Sequence, residues 1–93
     1  MAFKHINAST LTTASILHQV DSNARPNTPI NVHNGHSASI FVGDTTITTS
    51  GATIGRTIAA GANQVLYASA NDIIYAISAA ASATGAIVLT YSA

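Results

Sequence analysis

Only six of the 93 residues are charged, Lys4, Asp21, Arg25, Asp44, Arg56 and Asp72, and none is a glutamate. Soluble domains carry about 25% charged residues; this chain carries 6%, with a net charge of zero. A freely diffusing monomer of this kind lacks the mutual repulsion that keeps proteins apart in solution. Its surface must be built largely from Ser, Thr, Asn and Ala, which can be desolvated against a neighbour without stranding an ion. The same scarcity excludes a class of partner. A phosphate-tracking surface needs clustered Lys and Arg, and the three basic residues here are scattered, so nucleic acid is not expected to bind.

The length fits one domain, and a chain this short buries only about two thirds of the surface it exposes when unfolded. No cysteine is present, so neither a disulfide nor a thiolate metal cage can reinforce it. Packing must supply the stability. The uncharged stretch from Thr57 up to Asp72, which ends it, is broken by Gly61, Asn63 and Gln64 and is too polar to span a bilayer, so no membrane partner is expected. Met1-Ala2-Phe3-Lys4-His5 lacks the charged and apolar regions of a secretion signal, and synthesis in the cytoplasm is expected.

Thr, Ile and Val recur in short apolar runs bounded by Gly, Asn, Asp or Pro, the pattern of strands. The expected strands are Phe3–Ala8, Ser15–Val20, Pro29–His33, Ser39–Val42, Thr45–Thr49, Arg56–Ala59, Gln64–Ala68, Ile73–Ser78 and Gly85–Tyr91. Their spacing predicts an all-β fold, an antiparallel sandwich of jelly-roll or immunoglobulin-like type with about eight short strands. Asn34-Gly35 predicts a hairpin, because both residues tolerate positive φ. Gly43-Asp44, Ser50-Gly51, Ala60-Gly61-Ala62-Asn63 and Asn71-Asp72 predict further turns, and Ala79–Thr84 the loop of a final hairpin. Asp21–Pro29 reads as an extended loop with two prolines. It divides residues 1–27, an N-terminal arm and loop, from a β-sandwich body over 28–93.

Strand alternation puts Ile73, Tyr75 and Ile77 on one face and Ile74 and Ala76 on the other, so both are apolar. Ile87, Leu89 and Tyr91 alternate with Val88 and Thr90, and Ile40-Phe41-Val42 is apolar throughout. One buried face suffices for a sandwich strand, so some outer faces are expected to meet another subunit or the arm; scattered exposed apolar groups are the plainer alternative. In the arm, Phe3, Ile6, Leu11, Ile16 and Leu17 exceed what a loose tail should expose and are expected to contact a partner. Arg25 and Arg56, flanked by turn residues, suit bidentate contact with a partner carboxylate, or pairing with an aspartate of their own chain.

Catalytic parts do not assemble. Paired-carboxylate chemistry needs two of three well-separated aspartates to converge, and no Gly-x-Ser-x-Gly elbow is present. Gly51-Ala52-Thr53-Ile54-Gly55 is not followed by the Lys-Ser or Lys-Thr of a phosphate loop. His33 and His36 could share a metal only across the Asn34-Gly35 turn, and surface histidines flanking a hairpin are the simpler reading. No enzyme, cofactor or metal is expected.

Several segments recur in a recognisable order: Ile30-Asn31-Val32-His33-Asn34-Gly35, Ala38-Ser39-Ile40-Phe41-Val42-Gly43-Asp44-Thr45-Thr46-Ile47-Thr48, Thr57-Ile58-Ala59-Ala60-Gly61, Asp72-Ile73-Ile74-Tyr75-Ala76-Ile77-Ser78 and Ala86-Ile87-Val88-Leu89-Thr90-Tyr91. Together they span Thr28 to Tyr91, about two thirds of the chain. This stretch resembles the small β-domain of structural proteins of tailed bacteriophages, of the capsid decoration (cement) type. The resemblance implies a virion protein on the outer capsid surface, bridging subunits of the major capsid protein and associating with itself as a dimer or trimer. A head-fibre or minor tail domain that binds a host receptor or glycan is the alternative. It supplies no catalytic or ligand residue, and Met1–Asn27 departs from the pattern.

Overall fold

The computed structural model describes residues 3–49, 51 and 55–93. Among them the chain forms eight strands and no helix: β1 (Phe3–Ala8), β2 (Ser15–Gln19), β3 (Thr28–Asn34), β4 (Ile40–Gly43), β5 (Arg56–Ile58), β6 (Asn63–Ala68), β7 (Ile73–Ser78) and β8 (Ile87–Ser92). All pairings are antiparallel. The first sheet runs β1-β8-β3-β6 and the second β2-β7-β4-β5.

Alternation builds the core. Ile30, Val32, Ile87 and Leu89 of the first sheet meet Ile40, Val42, Ile58, Ile74 and Ala76 of the second in one cluster, a sandwich-like arrangement of two layers. At about 25 cal/mol per Å² of apolar surface removed from water, this shared interior is the main source of stability in a chain without disulfides. Pro29 is tolerated inside β3 because pairing with β8 begins only at Asn31, so the missing N–H costs no ladder bond.

The strand expected over Thr45–Thr49 does not form as one. Asp44 accepts hydrogen bonds from the Thr46 amide (2.9 Å) and hydroxyl (2.6 Å), and this side-chain turn overrides the β-preference of the threonines. Of the Ser50-Gly51 turn and the Gly51–Gly55 segment, Ser50 and residues 52–54 lie outside the described residues; Gly51 has φ 84°.

Among the described residues, only β4 and β5 are consecutive strands paired with each other; every other connection between these strands crosses between sheets. Asn34-Gly35 is therefore not a hairpin, and Asn34 is not among the positive-φ residues. Its buried side chain instead ties the corner. The amide donates to the Ala38 and Ile58 carbonyls (both 2.9 Å) and its oxygen accepts the His36 N–H (2.9 Å). Gly35 is required for a different reason: a Cβ there would collide with the Ala86 carbonyl oxygen, to which the Gly35 N–H donates. Ala79–Thr84 likewise joins β7 of one sheet to β8 of the other, held where the Ser82 N–H meets the Thr10 carbonyl and the Thr10 N–H meets the Ser82 hydroxyl (both 2.9 Å).

The segment expected as an N-terminal arm supplies β1 at the edge of the first sheet and β2 at the edge of the second. Leu17, Val20 and Ala24 belong to the core. A register shift between Ile16 and His18 inserts the extra residue of a bulge. Leu17 and His18 therefore both reach inward, Leu17 into the core and His18 to the Tyr91 hydroxyl at 2.7 Å.

Candidate functional site

Directly opposed residues of an antiparallel pair share a face, so the registers define what each sheet presents outward. On the second sheet, Ile16 opposes Tyr75, which opposes Gly43; Ile77 opposes Phe41, which opposes Thr57; and Gln19 opposes Ile73. No charged residue stands in these rows. Ile16 is 56% exposed and Ile73 41%, while Tyr75 and Phe41 are half-buried.

Part of this face is covered by the chain itself. Ile47, from the turn after β4, is buried but outside the core cluster, as is Ile77. The Ile47 side chain occupies the place where a Cβ on Gly43 would stand, so the absence of a side chain at Gly43 admits it onto the outer face beside Tyr75. Ile16, Tyr75, Ile47 and Ile73 thus make an uncharged apolar strip with Phe41 adjoining. Leu11, 50% exposed, lies next to the end of β7, its carbonyl accepting the Ser78 N–H.

The outer face of the first sheet is of another kind. One row is Asn7, Val88, His33 and Asn63, and another His5, Thr90, Asn31 and Val65. Asn63 Oδ1 lies 3.0 Å from His33 Nδ1. Apolar groups stand at its margins, where Phe3 and Tyr67 are each 71% exposed.

The residues expected to contact partners do not converge. Ile16 lies on the outer face of the second sheet with Leu11 near it, whereas Phe3 lies on the outer face of the first. Ile6 faces inward and packs partly against the core. Leu17 is buried in the core and offers no surface, because strand alternation turns it inward from the outward Ile16. Arg25 is exposed at a groove of about 410 Å³ with Pro26, Asn27, Pro29 and Tyr91, and Arg56 is exposed at one of about 420 Å³ with Tyr67 and Asp72. Neither arginine forms an ion pair among the described residues, where Lys4–Asp21 at 3.2 Å is the one present.

The remaining polar groups serve local structure. Asp21 accepts the Asn23 N–H (2.8 Å) as well as pairing with Lys4, and these contacts hold its carboxyl below the usual carboxylate range. Bonds from the Thr46 hydroxyl and amide do the same for Asp44. Asp72 accepts the Ser69 N–H at 2.8 Å. Burial lowers the His18 pKa, against the opposing pull of Asp21. The Tyr91 hydroxyl accepts the Asp21 N–H (3.1 Å), leaving its proton for a neutral His18. The His36 ring lies 2.9 Å from the Ala80 carbonyl, whereas His33 meets Asn63. No cluster of three or more potential metal-binding side chains occurs among the described residues, nor a helix long and apolar enough to cross a membrane.

Sequence reasoning located the dual apolar faces of β4 and β7 but not the glycine gap at Gly43 or the isoleucine that fills it. No protein-family model, curated protein or solved structure matches this chain.

Proposed function

We propose that the chain is a non-enzymatic structural protein of a virion, which binds the outer surface of a capsid and stabilises it by bridging subunits of the major capsid protein. The observation that carries this reading is the uncharged apolar strip on the second sheet. Burying half-exposed isoleucines such as Ile16 and Ile73 yields about 1 kcal/mol each, and the opposed rows that carry them hold no charged side chain to desolvate. Repetition over a shell makes such modest contacts effective. Charge poverty across the whole chain supports the same reading, as does the resemblance of Thr28–Tyr91 to phage decoration proteins.

The strand order β1-β8-β3-β6 against β2-β7-β4-β5 supports assigning the sandwich to the jelly-roll type, with its cross-sheet connections, an architecture used by capsid and lectin domains alike. Fold alone does not fix function, so the weight rests on the face. Ile16→Asp with Ile73→Asp places charge on that face without touching the core. The double variant is expected to keep the wild-type circular dichroism and lose occupancy on capsids lacking the protein, read by sedimentation and by electron-microscopy density. Undiminished occupancy overturns the assignment.

Phe3 and Tyr67 favour a second reading, a head-fibre or tail domain that binds a host glycan through the polar face of the first sheet. Exposed aromatic rings beside asparagines suit the apolar and hydroxylated sides of a sugar. Glycan-array binding lost on Tyr67→Ala would select it.

A further inference from the structure

A two-sheet fold has four edge strands, and each unblunted edge is a template for another strand. Three of these are blunted. β5 has three residues, β2 carries a bulge, and β1 carries Lys4 in an ion pair with Asp21. β6 is different: Asn63-Gln64-Val65-Leu66-Tyr67-Ala68 has six residues, no charge, no proline and an unbroken register with β3.

The direction of its backbone groups follows from its neighbour. The Asn34 N–H donates to the Ala62 carbonyl, and the Asn34 carbonyl accepts the Gly61 N–H, so even-numbered residues of β3 turn toward β6. Ile30 opposes Leu66 and Val32 opposes Gln64. Gln64, Leu66 and Ala68 therefore bond to β3, and by the alternation of antiparallel strands Val65 and Tyr67 aim their N–H and C=O groups away from the sheet. The Gln64 amide reaching the Val65 carbonyl at 3.5 Å agrees with an outward carbonyl.

We propose that β6 docks onto β6 of a second copy about a two-fold axis at Leu66, joining two first sheets into one continuous sheet. In this register Val65 opposes the partner's Tyr67 and Tyr67 the partner's Val65. Each pair exchanges two backbone hydrogen bonds and brings an aromatic ring against a β-branched side chain, a favourable cross-strand combination. The two Leu66 residues meet at the axis as a non-hydrogen-bonded pair, on the face that continues the apolar interior. The contact is isologous and closed, so it gives a dimer and not a fibre. One edge pairing is smaller than the roughly 1,600 Å² of a standard interface. It is therefore concentration-dependent, and crowding on a shell favours it. The inference rests on the proposed capsid role for that crowding, and it names a surface for the self-association that the resemblance implies, an edge that meets the capsid face only at the groove between Tyr67 and Ile73.

Analytical ultracentrifugation of the full chain up to about 1 mM, the effective concentration of tethered sites, is expected to show a rise from 9.4 kDa toward twice that mass. Val65→Pro removes an outward N–H but no bond to β3, and should weaken association at least about tenfold. Tyr67→Lys, a surface change, should do the same by setting a charge on each side of the axis. Leu66→Cys, in a chain with no other cysteine, should form an intermolecular disulfide on mild oxidation, because non-hydrogen-bonded partners lie about 4.5 Å apart at Cα. Ile16→Cys should not. A monomer throughout the concentration range, a dimer indifferent to both Val65→Pro and Tyr67→Lys, or cross-linking at Ile16 in place of Leu66 overturns the proposal. Ile16→Asp alone, away from the groove that Ile73 shares with Leu66 and Tyr67, should still dimerise, so a failure at the edge is read separately from a failure at the capsid face.

Discussion

Asn34 is where the two sheets are tied, and replacing it by alanine tests whether its amide holds the corner. The substitution removes three side-chain hydrogen bonds, to the Ala38 carbonyl, the Ile58 carbonyl and the His36 N–H. The Ile58 bond is fully buried, so its carbonyl loses its partner out of reach of water, at about 1–3 kcal/mol. The other two are partly buried and cost about 1 kcal/mol each. The sum, about 3–5 kcal/mol, is a large share of the roughly 5–15 kcal/mol that holds a typical domain together. For this chain length each kcal/mol lowers the melting temperature by about 4–8 °C, so Asn34→Ala should melt at least about 12 °C lower. Urea unfolding followed by circular dichroism gives the free energy directly, with an unchanged slope expected if the unfolded state is unaffected. Asn34→Asp keeps the shape and the bond from His36, but it sets a carboxylate oxygen against two carbonyls and should be no milder. A loss below about 1 kcal/mol for Asn34→Ala would refute the assignment of the corner to this amide.

Two further outcomes follow from buried polar groups. The folded pKa of His18 lies below its ordinary value of 6.5, so the unfolded chain takes up a proton more readily. Its contribution to stability is complete above that ordinary value and is lost as the pH falls through the folded pKa. Asp21 and Asp44, lowered from 3.8, add a second loss in stronger acid with the same sign. The melting temperature should therefore fall from neutral pH into mild acid and His18→Gln should flatten that slope; a wild-type melting temperature that is constant or rises on acidification contradicts the reasoning. The Thr10 hydroxyl is buried without a hydrogen-bond partner among the described residues, so Thr10→Val should leave stability unchanged or raise it by about 1 kcal/mol. A destabilisation of that size, in the same urea assay, would show that the hydroxyl has a stabilising role.

Eight of the nine expected strand segments have a counterpart among the eight strands, and β1 and β7 coincide end to end. Alternating side chains and turn residues are local signals, read within a few residues. The Thr45–Thr49 segment failed because a single side chain, Asp44, competes for the backbone within two residues. The dual apolar faces of β4 and β7 were legible too, and they mark the candidate site, although Gly43 and Ile47 were not recognisable as a gap and its filling. Those two positions meet only after the loop folds back over the sheet.

What the sequence alone determined is the class of the molecule: all-β, poor in ions, without thiols, dependent on packing. Which strand lies beside which was decided by the tertiary structure. Asn34-Gly35 is compatible with a hairpin or with a corner between sheets, and only the carbonyls of Ala38, Ile58 and Ala86 select the corner. Leu17 was expected to face a partner and faces the core, because it alternates with Ile16, whose pairing with Tyr75 sets that neighbour on the outer face. The physical reason is common to both. A strand's pattern states that one face must be covered, but the covering comes from residues tens of positions away, and their approach is settled by the closure of the whole sandwich.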